Sequence, residues 1–408
     1  MKTHEDNPLM ISYNEALQRT LGEISPLRKE KINLADSTGR ILADDCYALV
    51  DLPTIDVSLK DGYAIRSEDI ASATPESPVF LDLIGLATAG NQWEGEVKGG
   101  TAIRILSGAA VPPGAQAIVA EEFASDDGHK VTVTNHSEPG RNILPKGNDV
   151  FAGQLIAQAG TLLHPTNVGH LAAAGYATIS VRKQPQIAII ATGDEVIAPG
   201  TPLTEGKLYA SNLITISAWC SQYGMKTSTS VVKDQKESIA SELTDRLRDH
   251  DAIITSGGAW KGDRDLIVGV LNELRWQEIY HRVRVGPGKA IGFGLLDGKP
   301  IFCLPGGPPS NHMAFLQLAL PGLQKLDGHK NPGLPKVVAQ LTETIRGMRS
   351  WTQFIHGRLE LSHDRMTFQP LKLKSRLQMM AEANSIGMIP EGTEVIPEGT
   401  MIPVQVLS

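Results

Sequence analysis

Hydrophobic and polar positions along the chain change their period several times. Ser12-Tyr13-Asn14-Glu15 has the S-x-x-E form of a capping box and opens an amphipathic segment expected to be helical to about residue 24. Residues 31–50 are short apolar pieces broken by Asp36-Ser37-Thr38-Gly39-Arg40. From Asp51 to about Gly147 short apolar runs (79–84, 102–106, 117–120, 130–134) alternate with Gly, Pro and Asp turns, the texture of a small β domain. A short helix is expected over 166–174, with Thr166 as N-cap and Gly175 ending it. Near Pro185 the pattern becomes strand, helix, strand, helix. Strands are expected at 186–191, 226–232, 251–255 and 301–304. Helices are expected at 211–223, 236–250, from about 265, and after Ser310 as a cap. Such alternation predicts βαβ units and a parallel sheet, with ligands bound beyond the carboxyl ends of the strands. After Asp327-Gly328-His329 the texture returns to β. There the heptads Ile389-Pro-Glu-Gly-Thr-Glu-Val395 and Ile396-Pro-Glu-Gly-Thr-Met-Ile402 predict two successive turns of a small β-barrel.

A chain of 408 residues exceeds one ordinary domain. Net charge is −7 and no long basic run occurs, which argues against nucleic acid as a partner and leaves any anionic substrate to local loops and a metal. The opening MKTHEDNPLM is polar, so no secretory signal is expected, and no apolar run reaches the ~18 residues of a membrane span. Cys46, Cys220 and Cys303 are widely spaced and odd in number; they are expected to be small buried hydrophobes in a cytoplasmic protein.

Candidate chemistry collects in loops at the predicted strand ends. Thr192-Gly193-Asp194-Glu195 places two acids after a buried strand, where a plain strand-to-helix connection would need only a cap. Ser256-Gly257-Gly258 lets backbone approach a ligand, and Asp263 and Asp265 follow at the next helix start. Loop amides holding an anion and carboxylates holding Mg²⁺ would complement each other. Asp234 falls at a third strand end. Pro287-Gly288-Lys289 offers a fixed point charge, and Pro305-Gly306-Gly307-Pro308-Pro309 a rigid loop. Upstream, Asp56, Ser58, Lys60 and Asp61 crowd one turn, where Asp61-Gly62 alone would be an ordinary turn dipeptide. No Walker A loop, G-x-G-x-x-G or zinc-type histidine spacing is present.

In this order the segments Asp51–Ala64, ILSGAAVPPGAQAIVAEE, NILPKGND, ATGDE, SNL, ITSGGAWKGDRD, PGKAIGFG and LPGGPPS resemble the molybdopterin molybdenumtransferases, that is, bacterial MoeA and the E domain of gephyrin. The resemblance spans nearly the whole chain. It implies an elongated multidomain α/β and β fold: a three-layer α/β pterin-binding domain like that of the partner adenylyltransferase, a small β domain and a C-terminal β-barrel-like domain. The implied units are 1–50 with 148–182, 51–147, 183–326 and 327–408. It implies a homodimer with a cleft shared between subunits, and a reaction in which molybdate enters adenylylated molybdopterin with release of AMP, assisted by Mg²⁺. The partner adenylyltransferase is a candidate partner.

Carried over by motif, Asp61, Ser107, Glu195, Asp234 and Asp265 are implied catalytic positions, with Glu195, Asp234 and Asp265 as metal ligands. Asp149, Thr192, Gly193, Asp194, Ser256, Gly257, Gly258, Lys289, Pro305, Gly306 and Pro308 are implied substrate contacts. Departures from the family pattern gather in the site. Leu144 and Gly286 stand where basic residues are usual, Trp260 where a serine is usual, Gly307 for the asparagine of L-P-G-N-P, and His356 for the arginine of F-x-R-G. Three positive groups are thereby lost, with Lys60, Lys146, Lys261 and a protonated His356 as candidate replacements. A working insertase with an altered pocket is favoured by the retained acids. A paralogue that binds the pterin without efficient insertion, and a dimeric docking scaffold, stand as alternatives.

Overall fold

The computed structural model describes residues 10–91, 93–257, 266–362 and 365–407. The α/β unit is built on a six-stranded sheet. Its order is Lys226–Val232, Gln186–Thr192, Ala252–Ser256, Lys299–Leu304, Gly292–Leu296, Gln277–His281. The first four strands are mutually parallel, as the alternation predicts; the last two pair antiparallel. The expectation of a purely parallel sheet is corrected by this edge, whose strands are joined by short connections that need no crossover helix.

Alternation along the Gln186–Thr192 strand divides two cores. Ile187, Ile189 and Ala191 pack on one face with the Ser211–Gln222 helix and the helix beginning at Pro308. Ala188 and Ile190 pack on the other face with the Lys236–Asp249 and Leu266–Glu273 helices. A strand buried on both faces must be apolar at every position, hence its continuous hydrophobic run. The last helix runs from Pro308 to Ala314, passes through a π-helical turn at Phe315–Ala319 and continues over Leu320–Asp327. Its N-cap is Gly307, not Ser310: Pro308 and Pro309 lack the N–H that the first helical positions leave unpaired, so the helix begins on them. The same effect moves the cap of the Pro165–Ala173 helix from Thr166 to His164, whose N–H donates to Asn167 Oδ1 at 3.0 Å.

The β unit upstream is a six-stranded sheet ordered Ala117–Ala120, Gly62–Ile65, Thr101–Ile105, Val79–Ala87, Lys130–Val133, Ala124–Asp126. Tyr63, Ile65 and Leu81 fill the core on one face, and Ala64, Ile103 and Ile118 the core on the other. Lys29–Asn33 pairs antiparallel with Thr178–Arg182, and Cys46–Tyr47 with Leu155–Ala157. Toward the C-terminus, Thr352–Ser362, Arg365–Pro370, Lys336–Leu341, Met401–Val406 and Ser385–Ile389 pair in a ring that closes back on Thr352–Ser362. Two further strands, Val283–Gly286 and Ile11–Ser12, extend this barrel from earlier in the chain. Both heptads form turns as expected, with Thr393 N–H donating to Pro390 O and Thr400 N–H to Pro397 O. Each begins on a buried isoleucine, Ile389 and Ile396. All three cysteines are buried thiols. Among the described residues no helix is long and apolar enough to cross a membrane.

Candidate active site

Sheet register brings the strand-end loops together. Thr192 is level with Val232, Ala191 with Ser256, and Ser256 with Leu304. The loops that begin at Gly193, Lys233, Gly257 and Pro305 therefore leave the sheet side by side. The Gln186–Thr192 strand is followed in sequence by its neighbour on one side and then by Ala252–Ser256 on the other. The crevice between Thr192 and Ser256 is thus the point where the strand order reverses, the usual ligand position in open α/β sheets.

Contacts within this crevice are close. Gly257 has φ +102° and a Cβ there would lie 2.6 Å from the Thr192 carbonyl oxygen, so the close approach of the two loops requires glycine. Ser256, 5% exposed, receives two amides at its Oγ: Asn212 Nδ2 donates at 3.1 Å and Asn311 Nδ2 at 3.0 Å. The same amides donate to the carbonyls of Gly306 (2.8 Å) and Pro305 (2.9 Å). With both lone pairs engaged, the Ser256 hydroxyl has its proton left to donate. Asn212 and Asn311 were not singled out from the sequence. Asn212 lies in the SNL segment and Asn311 just after LPGGPPS, so both sat beside motifs without a chemical signature of their own. Thr192 Oγ1 is buried and without a hydrogen-bond partner among the described residues.

The acids flank this floor. Glu195 folds back over its own loop, its Oε2 2.8 Å from where a Cβ of Gly193 would stand. Asp234 N–H donates to Asp194 Oδ1 at 3.4 Å. Partial burial, then the charges of Asp194 and Glu195, push the Asp234 carboxyl above its ordinary range. Among the described residues no three acidic, histidine or cysteine side chains form a metal-ligating group. Gly258 and Asp265, with Trp260 and Lys261, lie outside the described residues. Lys289 follows Gly288, which packs against the first turns of the Pro308 helix; the Lys289 carbonyl accepts from Val283 N–H at 3.0 Å.

The structure brings Asp61 and Ser107 together, the Ser107 N–H donating to Asp61 Oδ1 at 2.7 Å. Asp149 is exposed on the neighbouring turn, with its N–H bonded to Leu52 O. Among the described residues this cluster makes no hydrogen bond or ion pair with the strand-end loops. Of the candidate replacement charges, His356 is corrected, while Lys146 is placed in a surface ion pair. Lys146 Nζ is paired with Asp51 at 3.3 Å, in a turn also held by Ala152 N–H to Asp51 Oδ1. His356 is 3% exposed, and burial pushes its imidazole below its ordinary value, so it is neutral and brings no positive charge.

Residues 11–175 match the MoeA N-terminal region (domain I and II), and residues 188–325 match the probable molybdopterin binding domain. The chain is 32% identical over 394 residues to a molybdopterin molybdenumtransferase 2 of Mycobacterium tuberculosis, covering 95% of this chain and 97% of that one. It is 30% identical over 397 residues to a molybdopterin molybdenumtransferase of Staphylococcus epidermidis, covering 97% and 95%. The structure of a molybdopterin biosynthesis MoeA protein from Pyrococcus horikoshii OT3 superposes with a TM-score of 0.84 at 28% identity, over 97% of this chain and all of that one. With MoeA-type sheets in order and near-complete coverage at this identity, the chain belongs to the molybdopterin molybdenumtransferase family.

Proposed function

We propose that the protein acts in molybdenum cofactor biosynthesis, inserting molybdate into adenylylated molybdopterin and releasing AMP. The observation that carries this is the level register of four parallel strand ends, which gathers an anion-accommodating floor and three acids at one crevice. Ser256, clamped by Asn212 and Asn311, and the Gly257 and Pro305–Gly307 backbone suit the polar edge of a pterin or a phosphate. Glu195 and Asp234, with Asp265 outside the described residues, are the proposed Mg²⁺ ligands. Mutual repulsion among Asp194, Glu195 and Asp234 is what a divalent cation relieves, and Mg²⁺ commonly binds through one or two carboxylates plus substrate phosphate. When bound, it would neutralise phosphate charge as the AMP link is cleaved.

Asp61, Ser107 and Asp149 are proposed to complete the site from a second copy. A homodimer is supported by the exposed apolar side chains of Leu49 (58%), Leu59 (50%) and Phe151 (59%) in that part of the chain. Four units are also proposed, 1–50 with 148–182, 51–147, 183–326 and 327–408, in keeping with sheets that fall largely within each. A cytoplasmic setting is supported by three buried, unbridged thiols, and the adenylyltransferase that makes the substrate is the proposed transient partner. The test is complementation of a strain lacking its own molybdenumtransferase. Restored molybdoenzyme activity is expected; growth restored only by excess molybdate would also fit the reduced positive charge of the pocket, whereas no restoration at any molybdate level would favour a pterin-binding paralogue.

A further inference from the structure

The helix that follows the Pro305–Gly307 loop is tied at its first turns by a second, buried set of bonds. Asn311 joins Ser256 to the loop. The next residue, His312, is 5% exposed and makes a separate set of contacts. Trp219 Nε1 donates to His312 Nε2 at 3.1 Å, and His312 Nδ1 lies 3.4 Å from His356 Nε2. The two imidazoles are nearly parallel, 11° between planes with centroids 5.6 Å apart. Trp219 sits on the Ser211–Gln222 helix, which also carries Asn212. His356 sits on the Thr352–Ser362 strand of the barrel. The two helices that carry Asn212 and Asn311 and a strand of the barrel are therefore joined through three side chains.

The protons on these rings can be deduced. An indole N–H only donates, so His312 Nε2 must be bare. A neutral imidazole then carries its hydrogen on Nδ1, which faces His356 Nε2; that nitrogen must accept, so His356 carries its hydrogen on Nδ1 as well. A proton added to His312 Nε2 would displace the indole. One added to His356 Nε2 would oppose the His312 N–H. Other titratable groups on the packed elements include Cys220, Arg284, Lys299, Cys303, Arg358, Glu360, Arg365, Arg376 and Glu382. Of these Glu382 is paired with Arg358 at 2.7 Å, and none figures among the causes acting on either ring.

We propose that Trp219, His312 and His356 are positioning residues of the active site: their fixed order of donors sets the spacing of the two helices that carry Asn212 and Asn311, and so the placing of the Ser256 hydroxyl and the Pro305–Gly307 loop. This rests on that crevice being the substrate site. The first measurement is ¹⁵N NMR of histidine-labelled wild-type protein at pH 7.5. Both His312 and His356 are expected as Nδ1–H tautomers; an Nε2–H tautomer or an imidazolium at either position overturns the assignment. The second uses Trp219→Phe, which keeps an aromatic ring and removes the N–H. KM for adenylylated molybdopterin should rise roughly fivefold, about the worth of one neutral hydrogen bond, with kcat within about twofold. The Asn311 side-chain amide resonance should shift in the ligand-free variant. Unchanged KM with an unshifted amide overturns the positioning role. A wild type that releases no AMP would defeat the functional reading alone, since the tautomers and the Asn311 amide are read without substrate.

Discussion

His356 shows how much a residue's neighbours decide. Aligned by motif it replaces an arginine, and by its ordinary pKa it would be a part-time cation. In the fold it is sealed against His312 and held neutral. Lys146 is ion-paired with Asp51 at the surface, so its charge is already partly offset there. The positive charge missing at Leu144 and Gly286 is therefore not restored by either, and a doubly charged oxyanion must be held mainly by loop amides and remaining basic groups. Wild-type protein should require high molybdate for half-saturation. A Cβ at Gly286 would meet Gln353 at 3.7 Å, an ordinary contact, so a side chain can begin there without a clash. The Gly286→Lys, Leu144→Arg double variant should lower the half-saturating molybdate concentration by about tenfold or more, given ~1.5–3 kcal/mol for a hydrogen bond to a charged group. His356→Arg should do the opposite of restoring the pocket. It buries an unpaired guanidinium, and a denaturant melt should show a loss of about 3–5 kcal/mol. A stable His356→Arg protein with improved molybdate use would show that the residue reaches the site.

At the scale of elements, the parallel strands and most helices were legible because burial on two faces and on one face write different periods. Lys226–Val232 falls where the pattern places it. The Gln277–His281, Val283–Gly286 and Gly292–Leu296 strands were not legible: they are short, and their partners lie in a sheet edge and in the barrel, so only long-range pairing defines them. Site loops could be found from glycines and acids. Asn212 and Asn311 could not, because a clamp made of neutral amides has no charge pattern. The Pro308–Asp327 helix also carries a pH dependence. Burial, with the charge of His356 adding to it, holds His312 at about 4, and burial lowers His356 as well. Unfolded, both rings titrate near ~6.5, so as pH falls the unfolded chain takes up protons first. Their contribution to stability is whole above the unfolded value and is lost between there and about 4. Melting temperature should decline across that window in wild type and decline less in a His312→Phe, His356→Leu variant. Equal slopes would mean the pair is not the source.

For the whole molecule, the two clusters of candidate residues share no hydrogen bond or ion pair among the described residues, and exposed apolar side chains accompany the upstream one. In the proposed homodimer, a second copy seated on Leu49 and Phe151 is what supplies Asp61 and Ser107 to the strand-end crevice. Leu49→Glu with Phe151→Glu should convert a dimer to a monomer in sedimentation and remove activity, while leaving each chain folded; a fully active monomer would place the whole site in one subunit. The most direct test of the central claim is AMP release from adenylylated molybdopterin by purified protein, with molybdate and Mg²⁺ each supplied or withheld. Release should require both, and Asp234→Asn should slow it by roughly 10²–10³, as expected for loss of an electrostatic group acting on the transition state. Release at the full rate without Mg²⁺, or an unimpaired Asp234→Asn, would contradict an acid-held cation at the end of these strands.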